Sequence, residues 1–184
     1  MLVEAGHAVL GIDQSGSMLR RAREHFPQER FPGLRYEKMG LQEVDFKEEF
    51  NGVVCIDAME HIFPEDWPGI LMRFSKALKP DGVLYMTVEV AESCDVSEAY
   101  ERARQMGLPV IYGEIADKVD ATIEHIISMD WQAITGEQAD TATYHFYPPL
   151  QRVRGWLNRA GLTVEEEGSG NWYKHFLVRK KAET

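Results

Sequence analysis

The side chains in this sequence best suited to acid–base work gather at a few points. Asp57-Ala58-Met59-Glu60-His61 follows the apolar run Val53, Val54 and Ile56. Such a run suits a strand buried on both faces of a parallel sheet. Ligands of open α/β sheets bind outside the carboxyl ends of the strands, so Asp57 to His61 stand where chemistry would occur. His61 has the chemistry to orient a substrate or take a proton; a helix-start histidine packed on the next loop is the plainer reading. Glu60 reads as a first-turn acid favoured by the helix dipole. Tyr144-His145-Phe146-Tyr147, with Tyr112 and His125, forms a second polar-aromatic group. His145 is its best base by type, and a histidine packed in an aromatic turn fits it equally well. Asp117, Asp120 and Glu124 share a helical face, which solvation explains more simply than a metal.

The elements that must position these groups alternate. Met1–Ala5 reads as the last turn of a helix with Gly6 behind it. His7–Ile12 reads as a strand ending at Asp13, a carboxylate that could also simply form a turn. Ser15 can cap a helix with Met18, Leu19, Ala22 and Phe26 inward, closed by Pro27. Leu34–Met39 is a further strand. Pro64–Leu78 is helical, with Trp67, Ile70, Leu71, Phe74 and Leu78 as its packing stripe. Val83–Val90 is the next strand, so the order to this point predicts a parallel, doubly wound sheet. Residues 91–147 break the rhythm, with a capping box at Asp95 and Glu98 and a helix over Asp117–Met129. They read as an insertion, or lid, over the carboxyl edge of one domain spanning residues 1–184. Pro148–Ala160 is a short helix with Leu150, Val153, Trp156 and Leu157 inward. Leu162–Glu166, a Gly168-Ser169-Gly170-Asn171 turn and Trp172–Arg179 form a hairpin, necessarily antiparallel.

Bulk properties narrow the function. With 184 residues there is enough chain for a sizeable core. A net charge of -10 disfavours nucleic acid as a partner. No apolar run is long enough to span a membrane, and the start lacks a signal-peptide pattern. Cys55 and Cys94 make neither a disulfide framework nor a metal pattern, so the expected location is a reducing cytoplasm.

Four short motifs in order resemble the class I S-adenosylmethionine-dependent methyltransferases of the small-molecule branch. They are Gly11-Ile12-Asp13-Gln14-Ser15 with Met18-Leu19, Asp57-Ala58-Met59-Glu60-His61-Ile62, Leu78-Lys79-Pro80-Asp81-Gly82-Val83-Leu84, and Ala160-Gly161-Leu162. The resemblance implies a Rossmann-like, doubly wound, mostly parallel α/β sheet with an antiparallel C-terminal hairpin, and S-adenosyl-L-methionine as cofactor. It implies that Asp13 holds both ribose hydroxyls, since a carboxylate accepts two hydrogen bonds from a vicinal diol. Gln14 falls beside it. Gly40 stands where the family often has an acid for the adenine amino group, so backbone groups of Leu41 and Gln42, or the Gln42 amide, are the expected substitutes. Ile56, Asp57 and Met59 match the tip that touches the cofactor's methionine part. His61 and His145 are the candidate catalytic bases for a small-molecule acceptor.

The sequence departs from the family at its start. The family's glycine-rich loop lets backbone approach the cofactor, and no such loop is present here. Met1–Ala5 matches the tail of the helix after that loop, so the expectation is an N-terminally truncated fold with a gap between Asp13's strand and Asp57's strand. Homo-oligomerisation through the incomplete sheet would follow. The competing reading is a cofactor-free remnant or partner-binding pseudoenzyme. A nicotinamide dehydrogenase is disfavoured, since neither Tyr-x-x-x-Lys nor Gly-x-Gly-x-x-Gly follows.

Overall fold

The computed structural model describes residues 2–90, 105, 125–130, 142–170 and 172–182, with only the backbone for 125–130 and 142–145. The chain forms two compact units, Met1–Asp45 and Phe46–Thr184. Together the described elements make an α/β fold of the Rossmann-like kind, partly parallel and partly antiparallel.

In the first unit Gly6 ends a turn at φ +88, and its N–H donates to the Val3 carbonyl at 3.1 Å. Only glycine adopts that backbone freely. Strand β1 (Val9–Asp13) runs parallel to β2 (Leu34–Lys38), with Asp13 opposite Lys38. Helix α1 (Gly16–His25) connects them, and Ser15 caps it by accepting from the Met18 N–H at 3.3 Å. Leu19, Phe31, Leu34 and Val44 form the core of this unit. Met18 and Phe26, expected inward, are exposed. The buried face of this short helix is narrower than its apolar spacing suggests, and Tyr36 helps tie it to β2 by donating to the Ala22 carbonyl at 3.3 Å.

The second unit is built on β4 (Leu78–Glu89), which pairs parallel with β3 (Phe50–Cys55) and antiparallel with β8 (Tyr173–Lys180). Strand β7 (Leu162–Gly170) completes the order β3-β4-β8-β7. β4 starts earlier than expected because Lys79–Gly82 stays in the strand, with Asp81 in the left-handed region at φ +61. A Cβ on Gly82 would lie 2.9 Å from the Lys79 carbonyl, so that kink needs glycine. β7 likewise runs through the expected turn to Gly170. Gly161, at φ +74, ends helix α3 (Leu150–Arg159).

Two expectations are corrected. His125–Asp130 is a strand, β5, antiparallel to β6 (Ala142–Tyr147), where a helix to Met129 was expected. Its run Ile126-Ile127-Ser128-Met129 suits either period, and cross-strand pairing decides it. The helix residues expected before His125, and the capping box at Asp95 and Glu98, lie outside the described residues. Strand β3 is not buried on both faces: Val54 is 55% exposed, as is Ile56 just after the strand. It is an edge strand of its sheet, with β4 its one neighbour among the described residues. Asp13 ends β1 in one sheet, and β3 lies in another.

Helix α2 (Trp67–Ala77) starts later than its apolar pattern, with Asp66 as N-cap and Pro68 in its first turn. Its stripe behaves as expected: Trp67, Ile70, Leu71, Phe74 and Leu78 are all buried. On α3, Val153, Trp156 and Leu157 are buried, while Leu150 is half-buried at the helix start. Trp67 stacks against Phe146 of β6 at 5.7 Å and Trp156 of α3 at 5.5 Å, and its indole donates to the Ile62 carbonyl at 3.3 Å. Trp67→Ala is expected to destabilise this unit by about 3–5 kcal/mol, the scale for emptying a large aromatic site. Urea unfolding followed by circular dichroism measures it; a loss under about 1 kcal/mol would show that the three rings are not a shared core.

Candidate functional site

The first unit gathers polar groups where β1 and β2 end. The Asp13 carbonyl accepts from the Met39 N–H at 3.1 Å, which keeps the two strand ends level. Asp13 Oδ1 accepts from the Ser15 N–H at 2.7 Å, a local turn that starts α1. Oδ2 has no hydrogen-bond partner among the described residues. After β2 the chain turns through Gly40 into a single 3-10 turn, Leu41–Glu43. Glu43 reaches back, and its Oε2 accepts from the Gly40 N–H at 2.6 Å. Sequence reasoning missed Glu43; its position three residues after Gly40 is capping-box spacing and could have revealed it.

Gly40 is buried at the meeting point of three side chains. A Cβ there would lie 3.3 Å from Glu43 Oε2, 3.5 Å from the Gln42 amide oxygen and 3.8 Å from that of Gln14. Asp13, Gln14, Gly40, Leu41 and Gln42 therefore belong to one strand-end cluster. Its mixture of amide oxygens and one carboxylate oxygen free of protein partners suits a ligand rich in hydroxyl and amino groups.

In the second unit the tip after β3 is held in an uncommon conformation. Asp57 has φ +53, in the left-handed region. Its N–H donates to Thr87 Oγ1 at 3.0 Å, and its carboxylate accepts from the Tyr173 hydroxyl. Thr87 and Tyr173 come from β4 and β8. Only the antiparallel register brings these three residues together, so sequence spacing carries no signal for them. Ile56 is exposed, and Met59 is wholly buried in the 3-10 turn Met59–His61.

Glu60 corrects the expectation for that turn. It is not a solvated acid at the head of a helix, because α2 begins seven residues later. It is 1% exposed, and neither carboxylate oxygen has a hydrogen-bond partner among the described residues. Burial first, then the neighbouring Asp57 carboxyl, pushes its pKa up to about 8, with Glu89 adding to the effect. The same group of acids acts on its neighbours. Burial, then Glu89 and Glu60, raises Tyr147; burial, then Asp57, raises Tyr173. Burial, then Glu60, pushes the Cys55 thiol up to about 12, so Cys55 is inert.

His61 is half-exposed, with Nε2 3.9 Å from Glu60 Oε1. His145 stands in β6 opposite Ile127, and its side chain lies outside the described residues. β6 packs on the Met59–His61 turn, so both candidate bases belong to elements in contact. Tyr112 also lies outside the described residues. Among the described residues no group of three acids, histidines or cysteines could hold a metal ion.

The raised Glu60 has a measurable signature. Its folded pKa lies above the unfolded value, so the native state binds the extra proton between pH 4.5 and about 8. The stability Glu60 permits is complete below that window and falls as pH rises through it, by at most about 1.4 kcal/mol per pH unit. Unfolding free energies of wild type and Glu60→Gln measured from pH 5 to 8.5 should diverge, the glutamine variant gaining relative stability toward high pH. Parallel curves would place Glu60 in solvent.

The comparisons with known proteins concern the fold. A family model described as a methyltransferase domain matches residues 1–82. No curated protein matches the sequence. A solved S-adenosylmethionine-dependent methyltransferase from Methanosarcina mazei is similar in fold, with TM-score 0.69 and 15% identity over 99% of this chain and 86% of that one. The 1,6-didemethyltoxoflavin-N1-methyltransferase of Burkholderia thailandensis, solved with 1,6-didemethyltoxoflavin and S-adenosylhomocysteine, gives TM-score 0.63 at 14% identity, over 97% of this chain. This chain spans 64% of that enzyme's length. The glycopeptide N-methyltransferase MtfA, solved with S-adenosylmethionine, gives TM-score 0.61 at 15% identity, over 98% of this chain and 80% of that one. The first 82 residues thus match a methyltransferase domain, and nearly the whole chain is similar in fold to solved S-adenosylmethionine-dependent methyltransferases.

Proposed function

We propose that this chain transfers a methyl group from S-adenosylmethionine to a small-molecule acceptor. The observation that carries the reading is the strand-end cluster around Gly40. Asp13 Oδ2, with no hydrogen-bond partner among the described residues, is assigned to the ribose diol. The absence of a side chain at Gly40 lets a flat ring approach the backbone, with Leu41 as an apolar wall and the Gln14 and Gln42 amides as polar contacts. Ile56, Asp57 and Met59 are assigned to the methionine end, and His61 or His145 to the acceptor's proton. Residues 91–147 are assigned to acceptor recognition as a lid on a single domain.

S-adenosylmethionine, when bound, supplies a methyl group on an electrophilic sulfonium. The protein's part is to align the acceptor and exclude water, because proximity alone contributes several kcal/mol, up to about 7–11. One neighbour, the 1,6-didemethyltoxoflavin-N1-methyltransferase, supports a small-molecule acceptor. The net charge of -10 supports a function without nucleic acid, no described helix is long and apolar enough to cross a membrane, and a cytoplasmic setting suits the free Cys55.

A second reading is favoured by one observation. Among the described residues β3 is an edge strand, with β4 its one neighbour. On that reading the chain is a cofactor-free module that binds a partner, or a second copy, through its open strand edges. Calorimetry with S-adenosylhomocysteine separates the two. The methyltransferase reading expects binding, and Asp13→Ala should weaken it by about 1.5–3 kcal/mol, the loss of charge-assisted hydrogen bonds. No binding by the wild type supports the second reading, and equal affinity in the variant removes Asp13 from the site.

A further inference from the structure

We propose that Thr87 and Tyr173 are positioning residues that act through Asp57 on the methionine end of the cofactor. The inference rests on the methyl-transfer reading and deepens it. Two residues near one end of the second unit's sheet hold backbone that side chains rarely adopt: Asp57 at φ +53, just after β3, and Trp172 at φ +70, just before β8. β8 runs antiparallel to β4, so its first residue, Tyr173, lies opposite Glu89 at the carboxyl end of β4. Left-handed backbone is strained in such residues and persists only where the surroundings over-determine it.

β4 and the residue after it bond both strained points. Thr87 Oγ1 accepts from the Asp57 N–H at 3.0 Å, and the Val90 N–H donates to the Trp172 carbonyl at 2.8 Å. Tyr173 closes the arrangement across β4, its hydroxyl donating to the Asp57 carboxylate. Thr87 pairs with His175, two residues from Tyr173, so both side chains leave the sheet on one face. Each bond fixes a different part of Asp57: Thr87 holds the backbone, and Tyr173 holds the carboxylate. Thr87 is 4% exposed, and valine would fill the same volume in a buried strand. Its hydroxyl goes to a backbone N–H 30 residues earlier in the chain. A tip held in advance loses little freedom when a ligand arrives, so its contacts count more fully in the affinity.

Calorimetry with S-adenosylhomocysteine, and ligand-observed NMR with adenosine, which lacks the amino-acid end, test this on the full chain. Thr87→Val and Tyr173→Phe should each weaken S-adenosylhomocysteine by about tenfold, the scale of one hydrogen bond. Adenosine affinity should stay at the wild-type value in both, a split that general damage to the fold would not give. Thr87→Ser, which keeps the hydroxyl, should bind S-adenosylhomocysteine as the wild type does. Tyr85→Phe is the control. It removes another phenol of β4, one whose oxygen lies 2.8 Å from His175 Nδ1, and both affinities should be unchanged. Either Thr87→Val or Tyr173→Phe at wild-type affinity overturns the proposal while the methyltransferase reading stands. So does an equal loss for adenosine, a loss in Tyr85→Phe, or a failure of serine to restore binding. Should adenosine bind the wild type too weakly to read, rescue by serine decides. Should Thr87→Val fail to fold, Tyr173→Phe decides. If the wild type does not bind S-adenosylhomocysteine, the methyltransferase reading fails and the positioning role falls with it.

Discussion

The second unit depends on where Trp67 puts its indole. One side chain at the start of α2 touches an aromatic ring on β6 and another on α3, and it donates to the backbone of the segment after β3. That last bond matters most for function. The segment from Asp57 to Ile62 is irregular and could adopt many paths. Fixing the Ile62 carbonyl on a buried ring anchors one end of it, while Thr87 anchors the other through the Asp57 N–H. Hydrophobic burial thus sets the position of a polar tip.

Between those anchors lies a conflict of forces. Burying Met59 and Glu60 together brings a carboxyl group into surroundings already holding other acids. Desolvation and like-charge repulsion both favour the neutral form, and they dominate because no arginine or lysine is among the groups that shift Glu60. Elsewhere in this unit two acids are conventionally paired: Glu167 with Arg154, and Glu165 with Arg179. Those pairs are on the surface and contribute little.

How much of this was legible depends on the range of the forces involved. α1, α2, α3 and the β7–β8 hairpin are written in local periodicity and caps, and Ser15 and Gly161 mark their boundaries. The alternation of strands and helices made the parallel pairing of β1 with β2 and of β3 with β4 readable. β5 was misread because a short apolar run carries no preference until a partner strand arrives. The exposure of Val54 and Ile56 was hidden for a related reason, since burial belongs to the neighbours. Tyr173 lies 116 residues from Asp57 along the chain. Their contact follows from the register of β8 on β4, which no spacing rule reports. Glu60 misled because polarity ordinarily means surface, and the exceptions cluster where chemistry is done.

The left-handed backbone at Asp57 has a consequence for how this chain can change over generations. Glycine at position 57 would relieve the strained backbone, yet it would delete the carboxylate that anchors Tyr173 and crowds Glu60. Selection for a sturdier fold and selection for a working tip therefore pull opposite ways at this codon. Were the tip to lose its contacts, position 57 would be free to drift to glycine.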